Sequence, residues 1–140
     1  MAATTGEVFV GTKLEYDSDF GNTPVWTEII EITDMDGPNQ EVTDVELSHS
    51  ASPSKHREYK AGMVEPGVLT VNGNWTKAKK ALVRSLLGTT TQFRMTFPDA
   101  STEIFGGYVK SDGYSGDLDS SLSEPISVKA SGTLNFTAAP

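Results

Sequence analysis

Cysteine is absent from the 140 residues, which excludes a disulfide framework, a thiol nucleophile and any thiolate-held zinc or iron–sulfur cluster. Basic residues are few, 11 against 19 acidic ones. The formal net charge of -8 argues against a protein that grips nucleic acid through its phosphates. It leaves room for one that lets nucleic acid slide past. Long apolar runs are missing, so no membrane-spanning helix is expected, and the opening MAATTGEVFVG lacks the basic and apolar regions of a secretory signal. The length fits one domain, residues 1–140, with enough chain to bury a core without cross-links.

The residues that could carry chemistry are poorly placed for it. His49 and His56 sit seven apart on a polar stretch with no HExxH-type helix around them, so they read as solvated. Asp17, Asp19 and Glu28 match positions 1, 3 and 12 of a calcium loop, but Gly21 and Asn22 stand where an acid and a glycine are needed. Asp117 and Asp119 have no partner acid at a motif spacing. Serines are plentiful without a GxSxG elbow. Gly106-Gly107 runs into Tyr108 with no helix start to present amides to a phosphate. No enzyme activity, cofactor or metal is expected.

What is present is a period of two. Ile126, Val128, Ala130, Leu134 and Phe136 alternate with polar residues, as do Phe93, Met95 and Phe97, and Leu69, Val71 and Trp75. A strand is expected from Val8 through Tyr16. Another should place Trp26, Ile30 and Ile32 on one face and Ile29 on the other. A weaker strand spans Thr102–Lys110, with Gly106 and Gly107 marking a bulge or a close backbone approach. Turn signals at Asp36-Gly37-Pro38, Glu65-Pro66-Gly67 and Ser111-Asp112-Gly113 separate the runs. The fold class is therefore mainly β, an antiparallel sandwich or barrel.

One helix, about 76–87, interrupts the pattern. Ala78, Ala81, Leu82, Ser85 and Leu86 form its expected apolar stripe, and Lys77, Lys79, Lys80 and Arg84 its solvated face. Thr76 or Asn74 caps the start and Gly88 closes the end. Two long loops are expected, at about 48–62 and 112–125.

The order of features is more specific than any one of them. A Trp-Thr-Glu-Ile strand leads to a long polar loop closing on Arg57-Glu58-Tyr59-Lys60-Ala61-Gly62. Pro66 to Trp75, the helix and Phe93 to Asp99 follow, and Ser127 to Leu134 ends the series. From about Gly11 to Phe136 the chain resembles the major tail (tail tube) protein of long, non-contractile-tailed bacteriophages, and is similar to gene-transfer-agent tube subunits.

That resemblance implies hexameric rings stacking into a hollow tail tube, the conduit for DNA ejection. The tube would sit in the virion tail and be assembled in the bacterial host cytoplasm. Its partners would be the chain itself and tail tip or initiator, tape measure and tail terminator proteins. DNA would pass without specific binding, and no membrane binding is implied. The chain stops at Pro140 without a decoration domain, so a smooth tube is expected. Lys55, His56, Arg57, Glu58, Tyr59 and Lys60 of the long loop become the expected inter-ring contact. Glu28, Glu31 and Glu103, on strands less basic than the helix, become the expected acidic lumen. The alternative is a stand-alone β-sandwich binding module for carbohydrate or a receptor. There Tyr114 would be the exposed aromatic, while Trp26 and Trp75 read as core.

Overall fold

A computed structural model of the chain describes residues 9–19, 23–51 and 53–138. Two antiparallel sheets, one α-helix and a short 3-10 turn at Pro53–Lys55 make up the described regular structure. The larger sheet holds β1 (Lys13–Asp17), β2 (Trp26–Ile30), β3 (Ile32–Asp36), β6 (Val68–Asn74), β7 (Thr91–Thr96), β8 (Thr102–Asp112) and β9 (Ser123–Thr137). Its order is β2-β1-β7-β8-β9-β6-β3. The smaller pairs β4 (Glu41–Glu46) with β5 (Tyr59–Glu65). The expected sandwich or barrel with a flanking helix is what forms.

The two rims of the seven-stranded sheet, β2 and β3, are consecutive in sequence and separated by Glu31 alone. One residue cannot cross a flat seven-stranded sheet, whose strands stand about 4.7–4.9 Å apart. The sheet therefore curls until its rims meet. At that corner Asn74 N–H donates to the Glu31 carbonyl (2.9 Å). Gly73 is required there, because a Cβ would lie 2.6 Å from Ile30 Cγ1 and 2.7 Å from the Glu31 carbonyl oxygen.

The inner face of the curl is the core. Alternation puts Leu14 and Tyr16 of β1, Phe93 and Met95 of β7, Phe105 and Val109 of β8, Ile126 and Val128 of β9, and Leu69 and Val71 of β6 inside. The Phe93 and Phe105 rings stack at 5.8 Å. Gly107 brings β8 close to β9, where a Cβ would collide with the Lys129 carbonyl, and the register slips between Ile104 and Gly106. The bulge expected from the paired glycines is thus present.

The first strand starts at Lys13, after a turn at Gly11 (φ 101°), so Val10 is not part of it; Val8 lies outside the described residues. Ile29 and Ile30 are both buried, because the corner ends the alternation expected through Ile32. Trp75 is exposed, since β6 ends before it. Trp26 is half-buried beneath Arg94, whose guanidinium carbon is 4.7 Å from the ring centre. Neither tryptophan is core.

Helix α1 (Lys77–Leu86) packs across β2 and β8. Thr76 caps it, accepting from Lys79 N–H, and Gly88 takes a φ of 77° beyond its end. Its buried residues are Lys80, Val83 and Leu86; Ala78, Ala81 and Ser85 are exposed. The expected apolar stripe was rotated from the true one, and Lys80 belongs inside.

Residues Tyr59 to Gly62 lie in β5, so the long loop is shorter than expected, running from 47 to 58 between two strands. The second loop spans 113–122, because β9 already begins at Ser123.

Candidate assembly interface

The β4–β5 ribbon has every β4 residue exposed, and in β5 only Gly62 is partly covered. Cross-strand register puts Val42 opposite Val64 and Val45 opposite Lys60 on one face, and Asp44 opposite Ala61 and Glu46 opposite Tyr59 on the other. Apolar side chains are open to solvent on both faces: Val42, Val45, Val64, Tyr59 and Met63, the last 85% exposed. A two-stranded ribbon is marginal in water by itself. Exposed apolar area of this kind marks an interaction surface.

The ribbon tip is held by its own polar contacts. Ser48 Oγ accepts from Glu58 N–H at 2.7 Å, Leu47 N–H donates to the Glu58 carbonyl at 2.8 Å, and His49 Nε2 lies 3.4 Å from Glu58 Oε2. Ser54 and Lys55 turn the chain with successive φ values of 55° and 59°. Lys55, His56 and Arg57 lie in the connection, Tyr59 and Lys60 in β5, and all five are exposed. Arg57 reaches Glu46 only at 4.0 Å. The contact residues expected from the sequence are thus gathered on one projecting tip.

The loop at 113–122 is built differently. Beneath it Lys80 Nζ donates to Asp112 Oδ2 (2.7 Å) and to the Gly113 carbonyl (3.2 Å). It lies 3.3 Å from Glu124 Oε1 and 3.9 Å from the centre of the Tyr114 ring. Arg84 Nη2 adds a contact to Asp112 Oδ2 at 3.5 Å. Glu124 is completely buried, and neither of its carboxylate oxygens has a hydrogen-bond partner among the described residues. Burial by itself would push the Lys80 ammonium down, but the facing Asp112 and Glu124 carboxylates outweigh it and hold it above its ordinary value. The Lys80 hydrogen bond, against the opposing effect of burial, holds the Asp112 carboxyl below its own. The Ser115–Ser123 pair (2.9 and 2.7 Å) and Trp75 N–H on the Leu122 carbonyl (3.2 Å) close the loop base. Asp117 Oδ1 accepts from Asp119 N–H at 2.9 Å at its crown. From this brace Tyr114, Leu118 and Leu122 project into solvent, Leu118 completely.

The three acids expected to line a lumen do not share a surface. Glu28 is half-buried on the outer face of β2 opposite Glu15, and its carbonyl accepts from Lys79 Nζ at 2.9 Å. Glu103 follows the inner-face alternation between Met95 and Phe136, where burial pushes its carboxyl up. Glu31 is exposed at the corner, 3.4 Å from Asn74 Nδ2. It continues onto Asp34 and Asp36, on the outward face of β3, and Asp34 accepts from Asn72 Nδ2 at 3.0 Å. Asp17, from the calcium-loop spacing, is buried and accepts from the backbone of Asp19 and Val25. Gly21 and Asn22 lie outside the described residues. No group of three or more metal-ligating side chains occurs among the described residues.

No family model and no curated protein matches the sequence. Solved structures do match. A chain of the tail of an empty gene transfer agent particle, refined with C6 symmetry, is 17% identical over 90% of this chain and 95% of its own, with a TM-score of 0.71. A chain of the sheath–tube complex of an extracellular contractile injection system is 11% identical over 96% and 93%, with a TM-score of 0.71. The SPP1 tail tube is 14% identical over 91% and 77%, with a TM-score of 0.56. The fold is the tail-tube fold, as the order of sequence features implied.

Proposed function

We propose that the chain is a structural subunit of a phage-like tail tube rather than an enzyme. Copies form hexameric rings, and the rings stack into a hollow conduit for DNA leaving the particle. The observation that carries this reading is the β4–β5 ribbon, which exposes apolar side chains on both of its faces and has no third strand among the described residues. A neighbouring copy supplies the missing cover. Six-fold closure is supported by the C6 symmetry of the gene transfer agent tail with the same fold.

In this reading the tip residues Lys55, His56, Arg57, Glu58, Tyr59 and Lys60 reach the next ring. The protein resides in the virion tail after assembly in the host cytoplasm, and meets tail tip, tape measure and terminator proteins. Of the three acids, Glu31 is assigned to the lumen, since it continues into the outward strip of Asp34 and Asp36. Like charge there keeps DNA phosphates off the wall within a Debye length of about 8 Å.

Electron microscopy of the purified protein across a concentration series tests this. Stacked rings of constant diameter are expected from the full chain, and a folded monomer from a variant lacking residues 48–60. A full chain that stays monomeric at every concentration, with or without a tail-tip initiator, overturns the reading.

A further inference from the structure

Resting on the tube reading, we propose that the cleft on loop 113–122 is the receptor for the ribbon tip of a second copy of this chain. The cleft runs between Tyr114, Leu118 and Leu122 and is lined by Asp117, with Asp119 exposed on the same loop beside it.

The charge on the two surfaces is complementary. Between Lys110 and Lys129 the chain has no basic residue and four acids. Asp112 and Glu124 are engaged by Lys80 beneath the loop, whereas Asp117 and Asp119 are exposed at its crown. The ribbon tip from 47 to 60 carries Lys55, Arg57 and Lys60 against the single acid Glu58. Arg57, with a side chain 74% exposed, makes only the long contact to Glu46 among the described residues. Opposite potentials steer two such surfaces together and fix their register.

The apolar parts match as well. Leu118 is completely exposed, and Tyr59 on the ribbon is 54% exposed. A pocket-filling aromatic against an aliphatic knob, ringed by charge, is how binding energy concentrates in an interface. The cleft is also preorganised, because Lys80, the Ser115–Ser123 pair and the Asp117 turn hold the loop before any partner arrives. Preorganisation cuts the entropy lost on docking. Ribbon and cleft are different surfaces, so the contact is head-to-tail and propagates from copy to copy.

The experiment uses two full-length variants, Asp117→Lys/Asp119→Lys and Lys55→Glu/Arg57→Glu. Each is expected to raise the critical concentration for polymerisation at least about tenfold, and mixing them should restore it, since each then meets an oppositely charged partner. Asp117 also closes the loop turn, so Asp117→Asn/Asp119→Asn, which keeps the acceptor and removes the charge, controls for misfolding. It should weaken assembly and reduce its salt dependence. Variants that assemble like the parent, or a mixture no better than its components, overturn the receptor assignment while leaving the tube reading intact. A parent chain that never polymerises overturns the tube reading itself. Rescue of the Asp117→Lys/Asp119→Lys variant equally well by an unrelated acidic protein would also overturn the assignment.

Discussion

Replacing Lys80 by methionine isolates the buried charge cluster that joins helix, sheet and loop. Methionine keeps most of the side-chain volume, so little cavity forms. What changes is that Asp112 and the completely buried Glu124 lose the ammonium 2.7 and 3.3 Å away. Arg84, 3.5 Å from Asp112 and with a side chain 60% exposed, is too solvated to replace it. Removing one partner of a buried pair costs about 3–5 kcal/mol. The hydrogen bond to Gly113 and the Tyr114 contact are lost within the same figure, since neighbouring terms do not add independently. For a chain of this length the loss lowers Tm by on the order of 10–20 °C. Calorimetry below the assembly concentration measures it, because polymerisation would shift the apparent stability. The triple variant Lys80→Met/Asp112→Asn/Glu124→Gln should recover much of the loss, since neutralising the whole cluster strands no charge. A Lys80→Met protein within about 1 kcal/mol of the parent would refute the argument.

Two further outcomes follow from the same structure. Gly73→Ala should cost about 1–3 kcal/mol in urea denaturation, because the new methyl meets Ile30 Cγ1 at 2.6 Å at the closed corner; a cost below about 0.5 kcal/mol would mean the corner yields. Stability against pH should show a plateau from the cluster. The Asp112 contribution is present above its unfolded value of about 3.9 and is lost as pH falls through its lowered folded value. The Lys80 contribution is present below about 10.4 and is lost as pH rises through its raised folded value, and Lys80→Met should abolish that alkaline limb.

Much of the large sheet could be read from the amino acids because one face of each strand is buried. Residues such as Phe93, Met95, Ile126 and Val128 then alternate with polar neighbours. The ribbon could not, for the opposite reason: with both faces wet, nothing forces a one-sided pattern. The register slip between Val42 and Asp44 also spaces Val42 and Val45 by three instead of two. The helix was legible in its place and its cap but not in its rotation. Counting Lys80 among solvated lysines ignored a position in line with Val83 and Leu86, and acids at 112 and 124 waiting to receive it. Residues 55–60 stand together on the tip because they are contiguous within a polar stretch that has no apolar periodicity. Glu28, Glu31 and Glu103, expected together on one wall, lie on different faces because which face an acid takes depends on bulges and corners that a linear spacing does not encode.

The single-residue link at Glu31 has a consequence for how a wall could be built. With no slack between β2 and β3, each polypeptide sets its own bend through internal bonds before it meets another. In the proposed tube, copies would arrive as prefabricated staves, and the bore they enclose would be dictated by the shape of one molecule instead of being negotiated among many.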